Sequence, residues 1–467
     1  MVQKSCANVR NCLMMPKNNN PLPGRLGRPR GSEWLRCLTP GKRLFLLRVS
    51  MMAAAFSRIT AYLIAAAAII WELRRLNWVP SRFASLIPQV LHAHGGRGTS
   101  KITLLTGGDF NWFWATGKAL GQGLNVDFYN PAVFSPLLRG LLHYDPGSTI
   151  LFVYPPLVLP VFSAFALLPL ALSYVLYCSL SLIVSAFLLR FAGFPWWGII
   201  LGLISPAAST WLYGGQLDLI CGAVMVYGLS RLECAPGFAG LALALLAIKP
   251  QVALLVPVAV LARGQWKAVL SGALGVAFFV ALSLLYWRNA SWAAFLHEGQ
   301  ANMRALLEAP FIYGAAHPAD YDFQFSGVSV FWMLRSLHLG LHIAYAAQGA
   351  ATLLALGAAW LVWRHPALTL QRRIIFTVLL VPFISPYGFT SSLCMYSTVL
   401  PLMARRDTPW RNAVLAWLWV APGLGFGIAK AHHILIGPLL LLAALALCLE
   451  RQKQTLLDRG LTSAAAR

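Results

Sequence analysis

Charged residues are scarce in this sequence, and acids are the scarcest. Of its 467 residues only 11% are charged, and Asp and Glu together number 14. A soluble domain carries about 25% charged residues. Hydrophobic residues reach 58% and fall in many long runs rather than in one core. The composition excludes an ordinary soluble protein and predicts a polytopic integral membrane protein with about eleven or twelve hydrophobic segments.

Two common site signatures are missing. The eight cysteines form no Cys-x-x-Cys pair, which argues against a structural zinc site or a disulfide framework. No Gly-x-x-x-x-Gly-Lys-Ser/Thr loop occurs, so a bound nucleotide is not expected. The sequence therefore predicts no cofactor, and it leaves a requirement for a divalent metal open.

Basic residues outnumber acids, with 37 Lys and Arg and a formal net charge of +23. Such a charge is also typical of nucleic-acid-binding proteins. Here, however, the basic residues stand at the ends of apolar runs, as the positive-inside rule describes for cytoplasmic loops. We therefore expect membrane lipids, and no nucleic acid, among the partners.

Residues 1–50 differ from the membrane domain that we expect over 51–467. They contain ten Lys or Arg and one acid, with Pro, Gly and Asn throughout and no apolar period. One interpretation is a disordered basic arm at the membrane surface. The other is a start codon assigned too early, because Met51 and Met52 directly precede the first hydrophobic segment, 59–71.

A polar stretch over 77–149 follows that segment and contains Asp109 after a glycine pair. Two amphipathic segments, Asp109 to Gly123 and Pro131 to His143, predict helices lying flat in the membrane interface. We expect the aromatic residues after Asp109 to lie in the headgroup layer. Asp109 itself is either a helix N-cap or a catalytic base that takes a proton from an acceptor hydroxyl.

Lys249 lies between two short apolar stretches, 237–248 and 251–262. Each stretch measures about 18 Å as a helix, too short to cross the bilayer, so a broken or re-entrant helix is expected. A lysine at membrane depth needs an anionic partner or a wet cavity. That partner is either a lipid phosphate or Asp218, unless the lysine side chain snorkels to the interface.

Other candidates carry weaker signals. Tyr154 precedes two prolines and fits a helix entry better than a site. Gln216 and Asp218 can hydrogen-bond a sugar or simply satisfy a turn between two apolar spans, the first expected over 196–213. His317 lies in an outer loop and can touch sugar hydroxyls; it has no second histidine at metal-binding spacing. Residues 150–190 fit either one span or two.

Several motifs, in order, resemble glycosyltransferase family 87. The resemblance covers about residues 100–405 and includes a Gly-Gln turn in which Gly214 replaces the usual Asn. Ser391-Ser392 stand where many relatives have Tyr-Asp. The matching motifs are Gly108-Asp109-Phe110 with Phe113-Trp114-Ala115, Tyr129, Tyr154-Pro155-Pro156, Gly215-Gln216, Ala247-Ile248-Lys249-Pro250, Ser329-Val330-Phe331 and Ser385-Pro386-Tyr387.

The resemblance implies an all-α helical bundle of the GT-C type in the bacterial inner membrane, with the active site facing the periplasm. It implies transfer of a hexose such as mannose, with inversion, from a polyprenyl-phosphate sugar to a lipid or glycan acceptor. Asp109 becomes the general base and Lys249 a donor-phosphate contact, while Gln216 and Tyr154 become cavity residues. A transporter or lipid flippase, or an inactive scaffold with the same fold, remain the alternatives.

Overall fold

The computed structural model of the chain describes five ranges of residues, and everything below concerns them. The basic arm over 1–50 lies outside them, as does almost all of the first hydrophobic segment. The described ranges are 108–124, 127–142, 151–313, 319–404 and 408–449, with the single residues Leu63, Ala67 and Ile70.

Ten helices make up the first part of the described chain. Short 3-10 turns at Pro156–Val158 and Leu245–Ile248 adjoin two of them. The helices are α1 (Gly108–Gly121), α2 (Pro131–Leu142), α3 (Leu159–Phe165), α4 (Leu170–Phe191), α5 (Trp196–Leu203), α6 (Pro206–Gly214), α7 (Asp218–Arg231), α8 (Pro236–Ala244), α9 (Pro250–Ala253) and α10 (Leu255–Ala262).

The second part contains longer helices joined by irregular segments. It ends with a short apolar helix after a break at residues 433–436. The helices are α11 (Trp266–Ala294), α12 (Gln300–Glu308), α13 (Val330–Ser336), α14 (Leu341–Arg364), α15 (Leu370–Leu380), α16 (Cys394–Val399), α17 (Pro409–His432) and α18 (Gly437–Leu449).

The predicted all-α membrane architecture is confirmed. Within the described ranges, four helices are long and apolar enough to cross a membrane: Leu170–Phe191, Trp266–Leu285, Leu341–Arg364 and Trp410–His432. Several shorter apolar helices accompany them. The predicted break at Lys249 is also confirmed, because the backbone there leaves the helical region, with φ −139° and ψ 76°.

The segment over 150–190 contains a single helix of crossing length, α4, preceded by the seven-residue α3. The expected continuous span over 196–213 is wrong. Ser205 and Pro206 divide it into α5 and α6, and the Ser205 hydroxyl accepts a hydrogen bond from the Ala208 amide at 3.2 Å. A serine followed by proline is a strong helix-start signal, and here it overrides the apolar run.

The aromatic residues after Asp109 lie inside the protein. Phe110 and Phe113 are 0% and 1% exposed, so the prediction that they occupy the headgroup layer is wrong. Helix α1 packs directly on α3, and Phe113 stacks on Phe162 with 4.2 Å between ring centroids. A Cβ on Gly117 would stand 2.4 Å from the Phe162 carbonyl oxygen, so only glycine permits this approach.

A cluster of arginines marks one end of the bundle. Glu233, just beyond the end of α7, accepts from Arg263 at 2.8 Å and from Arg373 at 3.0 Å. Arg231 donates to the Phe191 carbonyl at the end of α4. We call this the basic end. The first residue of α7, Asp218, lies about 20 Å away at the opposite end, given 1.5 Å per residue.

Candidate active site

Asp109 lies in the first turn of α1 and takes part in a ring of hydrogen bonds with two other side chains. The Tyr154 hydroxyl is 2.9 Å from Asp109 Oδ2 and 3.0 Å from Gln216 Oε1. The Gln216 amide also donates to Asp109 Oδ2. A phenol has one proton, so Tyr154 donates to one of these acceptors at a time, while Gln216 keeps the carboxylate in place.

A glycine turn brings Gln216 to Asp109. Gly215 caps α6 in the left-handed conformation, with φ +59°, which glycine adopts at little cost. A Cβ there would stand 2.5 Å from Phe110 Cβ, so the turn lies directly against α1. Tyr177 then donates to the Gln216 carbonyl at 2.8 Å. The Gly-Gln pair is thus needed for both its backbone shape and its amide.

Tyr154 is held from two sides. The Tyr129 hydroxyl donates to the Tyr154 carbonyl at 2.6 Å. Buried Asn302 on α12 donates to the carbonyls of Tyr129 and Phe152 at 2.7 and 3.2 Å. The Phe113 ring meets the Tyr154 ring edge-on at 4.6 Å. The phenol that contacts Asp109 is therefore fixed by both backbone and ring contacts.

The environment of Asp109 makes its carboxylate a better base than a free aspartate. Burial raises the pKa of Asp109 above its ordinary value. The Tyr154 hydroxyl, the charge of Lys249 and the Gln216 amide act in the opposite direction without offsetting burial. Both hydrogen bonds are made to Oδ2, and no described residue donates a hydrogen bond to Oδ1. That oxygen is free to accept a proton.

Asp218 and Lys249 form a second, buried cluster. Lys249 Nζ lies 2.6 Å from Asp218 Oδ2, and the two residues are 5% and 4% exposed. Ser391 donates to Oδ2 at 3.0 Å and Ser392 to Oδ1 at 2.8 Å. Both carboxylate oxygens are therefore satisfied, as a buried charge requires. Of the two partners expected for Lys249, the protein supplies Asp218.

The two clusters are adjacent and electrostatically coupled. Gln216 and Asp218 are separated by one residue in the turn that begins α7. The charge of Lys249 lowers the pKa of Asp109, and the charge of Asp218 raises it. The ammonium and the candidate base therefore belong to one electrostatic environment.

The structure brings together five of the six predicted site residues, in two groups. Asp109, Tyr154 and Gln216 form one, and Asp218 with Lys249 forms the other. His317 lies outside the described residues. Among the described residues, no group of three or more His, Cys, Asp or Glu could hold a metal ion.

Sequence reasoning missed the residues that support the site. Asn302 anchors the Tyr154 segment, yet nothing near it in the sequence distinguishes it from other asparagines. Ser391 and Ser392 had a signal, because they stand at the position where many family members have Tyr-Asp. Burial without water demands a polar partner for such hydroxyls, and Asp218 is that partner.

Comparison with known proteins gives one match. No curated protein and no solved structure matches the chain. The sequence profile of glycosyltransferase family 87 matches residues 152–386, just over half of the 467 residues. The match includes Tyr154, Gln216, Asp218 and Lys249, and it begins after Asp109. With its membrane-crossing helices, the chain therefore belongs to glycosyltransferase family 87 and is a membrane glycosyltransferase.

Proposed function

We propose that this GT-C-like enzyme transfers a hexose, mannose being the first candidate, from a polyprenyl-phosphate sugar to a lipid or glycan acceptor. The observation that carries the proposal is the Asp109 carboxylate. Its Oδ2 is held by Tyr154 and Gln216, its Oδ1 has no donor among the described residues, and burial raises its pKa. These are the properties of a positioned general base.

In the proposed reaction Asp109 Oδ1 takes the proton of an acceptor hydroxyl. The oxygen then forms a bond to the anomeric carbon while the bond from that carbon to the phosphate oxygen breaks. The electron pair leaves with the polyprenyl phosphate. Attack opposite the leaving group inverts the anomeric configuration, and one carboxylate suffices for it. Tyr154 and Gln216 orient the base through Oδ2.

Lys249 supplies positive charge for the departing phosphate. An ammonium group has three donors, and among the described residues Lys249 uses one of them, on Asp218. Two donors remain for phosphate oxygens while Ser391 and Ser392 keep Asp218 in place. Fixed charge of this kind stabilises a transition state in which negative charge develops on the leaving group. His317 is proposed as a contact to sugar hydroxyls.

The distribution of charge supports a periplasmic site in the bacterial inner membrane. Arg190 and Arg231 end α4 and α7, Arg364 ends α14, and Arg263 joins them at the basic end. Basic residues favour the cytoplasmic side of a membrane. Asp218 and Gln216 stand at the other end of α7, which supports a site on the opposite side of the membrane.

The experiment is reconstitution of the purified protein in liposomes with radiolabelled polyprenyl-phosphate mannose and a lipid extract as acceptor. Transfer of label to a new lipid or glycan supports the enzyme. Movement of the labelled donor across the bilayer without transfer supports a transporter or flippase instead. Absence of both, in protein that folds normally, supports an inactive scaffold.

A further inference from the structure

A groove of about 500 Å³ lies next to α12, and no step described above uses it. It falls within the size range of small-molecule pockets, about 300–1,000 Å³. The side chains that line it come from α12, from the start of α14 and from the segment before Ser391. The six that bear on its chemistry are Gln300, Arg304, Glu308, Tyr345, Pro386 and Tyr387.

The walls of the groove are tied to both site clusters. Asn302, on the same helix as Arg304 and Glu308, anchors the segment that carries Tyr154. Tyr387 precedes by four residues the Ser391 hydroxyl that binds Asp218. Tyr345 lies at the start of α14, and the other end of that helix, at Arg364, carries basic charge. The groove therefore lies at the same end of the bundle as Asp109.

The lining is electrically balanced and rich in both donors and acceptors. Arg304 is a cation with donors only, and Glu308 is an anion with acceptors only. Gln300, Tyr345 and Tyr387 each provide both kinds of group. A sugar hydroxyl also donates and accepts, so this set matches a neutral polyhydroxyl ligand. A phosphate would instead be met by donors alone.

Two tyrosines add flat apolar surface next to these polar groups. Tyr345 lines one side of the groove from the start of α14. Tyr387 and Pro386 form a second apolar wall. Aromatic rings with a polar tip suit a ligand that has C–H faces and hydroxyl edges.

We propose that this groove binds the neutral sugar ring of the acceptor and presents one of its hydroxyls to the Asp109 site. The identification of the ligand as the acceptor rests on the proposed function. The inference that the groove binds a sugar rests only on the residues that line it. Glu308 and Tyr387 are the specificity-determining residues, one through hydrogen bonds to hydroxyls and the other through its ring.

The test is saturation-transfer NMR on the full-length protein in lipid nanodiscs, with methyl α-mannoside as the neutral probe and mannose 1-phosphate as the anionic one. We expect methyl α-mannoside to bind. Glu308→Gln should weaken binding about tenfold, the scale of one lost hydrogen bond to a charged group. Tyr387→Ala should weaken it by a similar factor, about tenfold, because it removes the ring contact. Glu308 is exposed, so its variant should fold normally. Tyr387→Phe keeps the ring and should retain most binding.

Ala305→Gln is the matched control, because Ala305 is exposed on the same helix and does not line the groove. Unchanged methyl α-mannoside binding in both groove variants overturns the proposal. So does binding of mannose 1-phosphate alone, lost on Arg304→Gln, which indicates a phosphate site.

The two proposals fail differently. In a transfer assay, the groove variants should raise the KM for acceptor with kcat nearly unchanged, and Asp109→Asn should lower kcat while leaving methyl α-mannoside binding intact. Lost sugar binding in the groove variants, with no transfer by the wild type, would uphold the groove and refute the transferase.

Discussion

Asp109 and Asp218 are two aspartates in one electrostatic environment, and the protein treats them in opposite ways. Asp218 is 4% exposed, paired with Lys249 at 2.6 Å, and satisfied on both oxygens by serine hydroxyls as well. Asp109 has two neutral partners on one oxygen and no cation in direct contact among the described residues. One carboxylate is saturated and the other is left partly unsatisfied.

This difference separates a structural or electrostatic role from a chemical one. A carboxylate saturated by three hydrogen bonds, one of them from an ion-pair partner, is poorly suited to accept a further proton. A carboxylate with a raised pKa and a free oxygen is suited to proton transfer. On this account, Asp218 fixes Lys249 and the start of α7, while Asp109 performs the proton transfer.

The largest expected effect is on catalysis by Asp109→Asn. The amide keeps the shape but cannot take a proton, so transfer should fall by about 10²–10⁴-fold, the usual contribution of a general base. The thermal unfolding midpoint in detergent should stay near that of the wild type. A variant that transfers sugar at the wild-type rate would remove the distinction between the two aspartates.

Lys249→Met tests the other side of the comparison. It leaves the Asp218 charge buried without its cation, so the free energy of unfolding should fall by about 3–5 kcal/mol. The double variant Lys249→Met with Asp218→Asn removes both charges and should recover much of that loss. Thermal or denaturant unfolding of the three variants measures the coupling. Equal losses in the single and double variants would contradict a structural ion pair.

Tyr154→Phe should have the smallest effect. It removes one hydrogen bond to Asp109 Oδ2 while Gln216 keeps the other, so the transfer rate should fall about tenfold, as for one hydrogen bond to a charged group. Tyr396→Phe is the control, because Tyr396 is a buried tyrosine whose hydroxyl, among the described residues, donates only to the Leu418 carbonyl, at 3.4 Å. Equal rates in the two variants would show that Tyr154 does not orient the base.

Much of the fold was predictable, because apolar run length and proline positions are local signals. The break at Lys249-Pro250 followed from them, and the helices beginning near Asp109 and at Pro131 followed from amphipathic spacing, which is also local. The division of 196–213 at Ser205 was not predicted, although a Ser-Pro pair was visible. Hydropathy alone predicts one continuous span there, because apolar residues continue on both sides of the Ser-Pro pair.

The site was predictable as a set of residues but not as contacts. Asp109, Tyr154 and Gln216 are separated by 45 and 62 positions along the chain, and no local pattern shows that they meet. The burial of Phe110 and Phe113 was misjudged for the same reason. Aromatic residues after a polar turn are compatible with the membrane interface and with the protein interior. The close approach of α3 at Gly117 places these residues in the interior.

The most direct test of Asp109 as the base is the pH dependence of single-turnover transfer. A base works only when deprotonated, so the rate should fall as pH drops through the pKa of Asp109, which burial raises above the ordinary aspartate value. Tyr154→Phe removes a contact that lowers this pKa, so its acid limb should move to higher pH. The residual transfer of Asp109→Asn should lack that limb. An identical acid limb in wild type and Asp109→Asn would contradict the assignment.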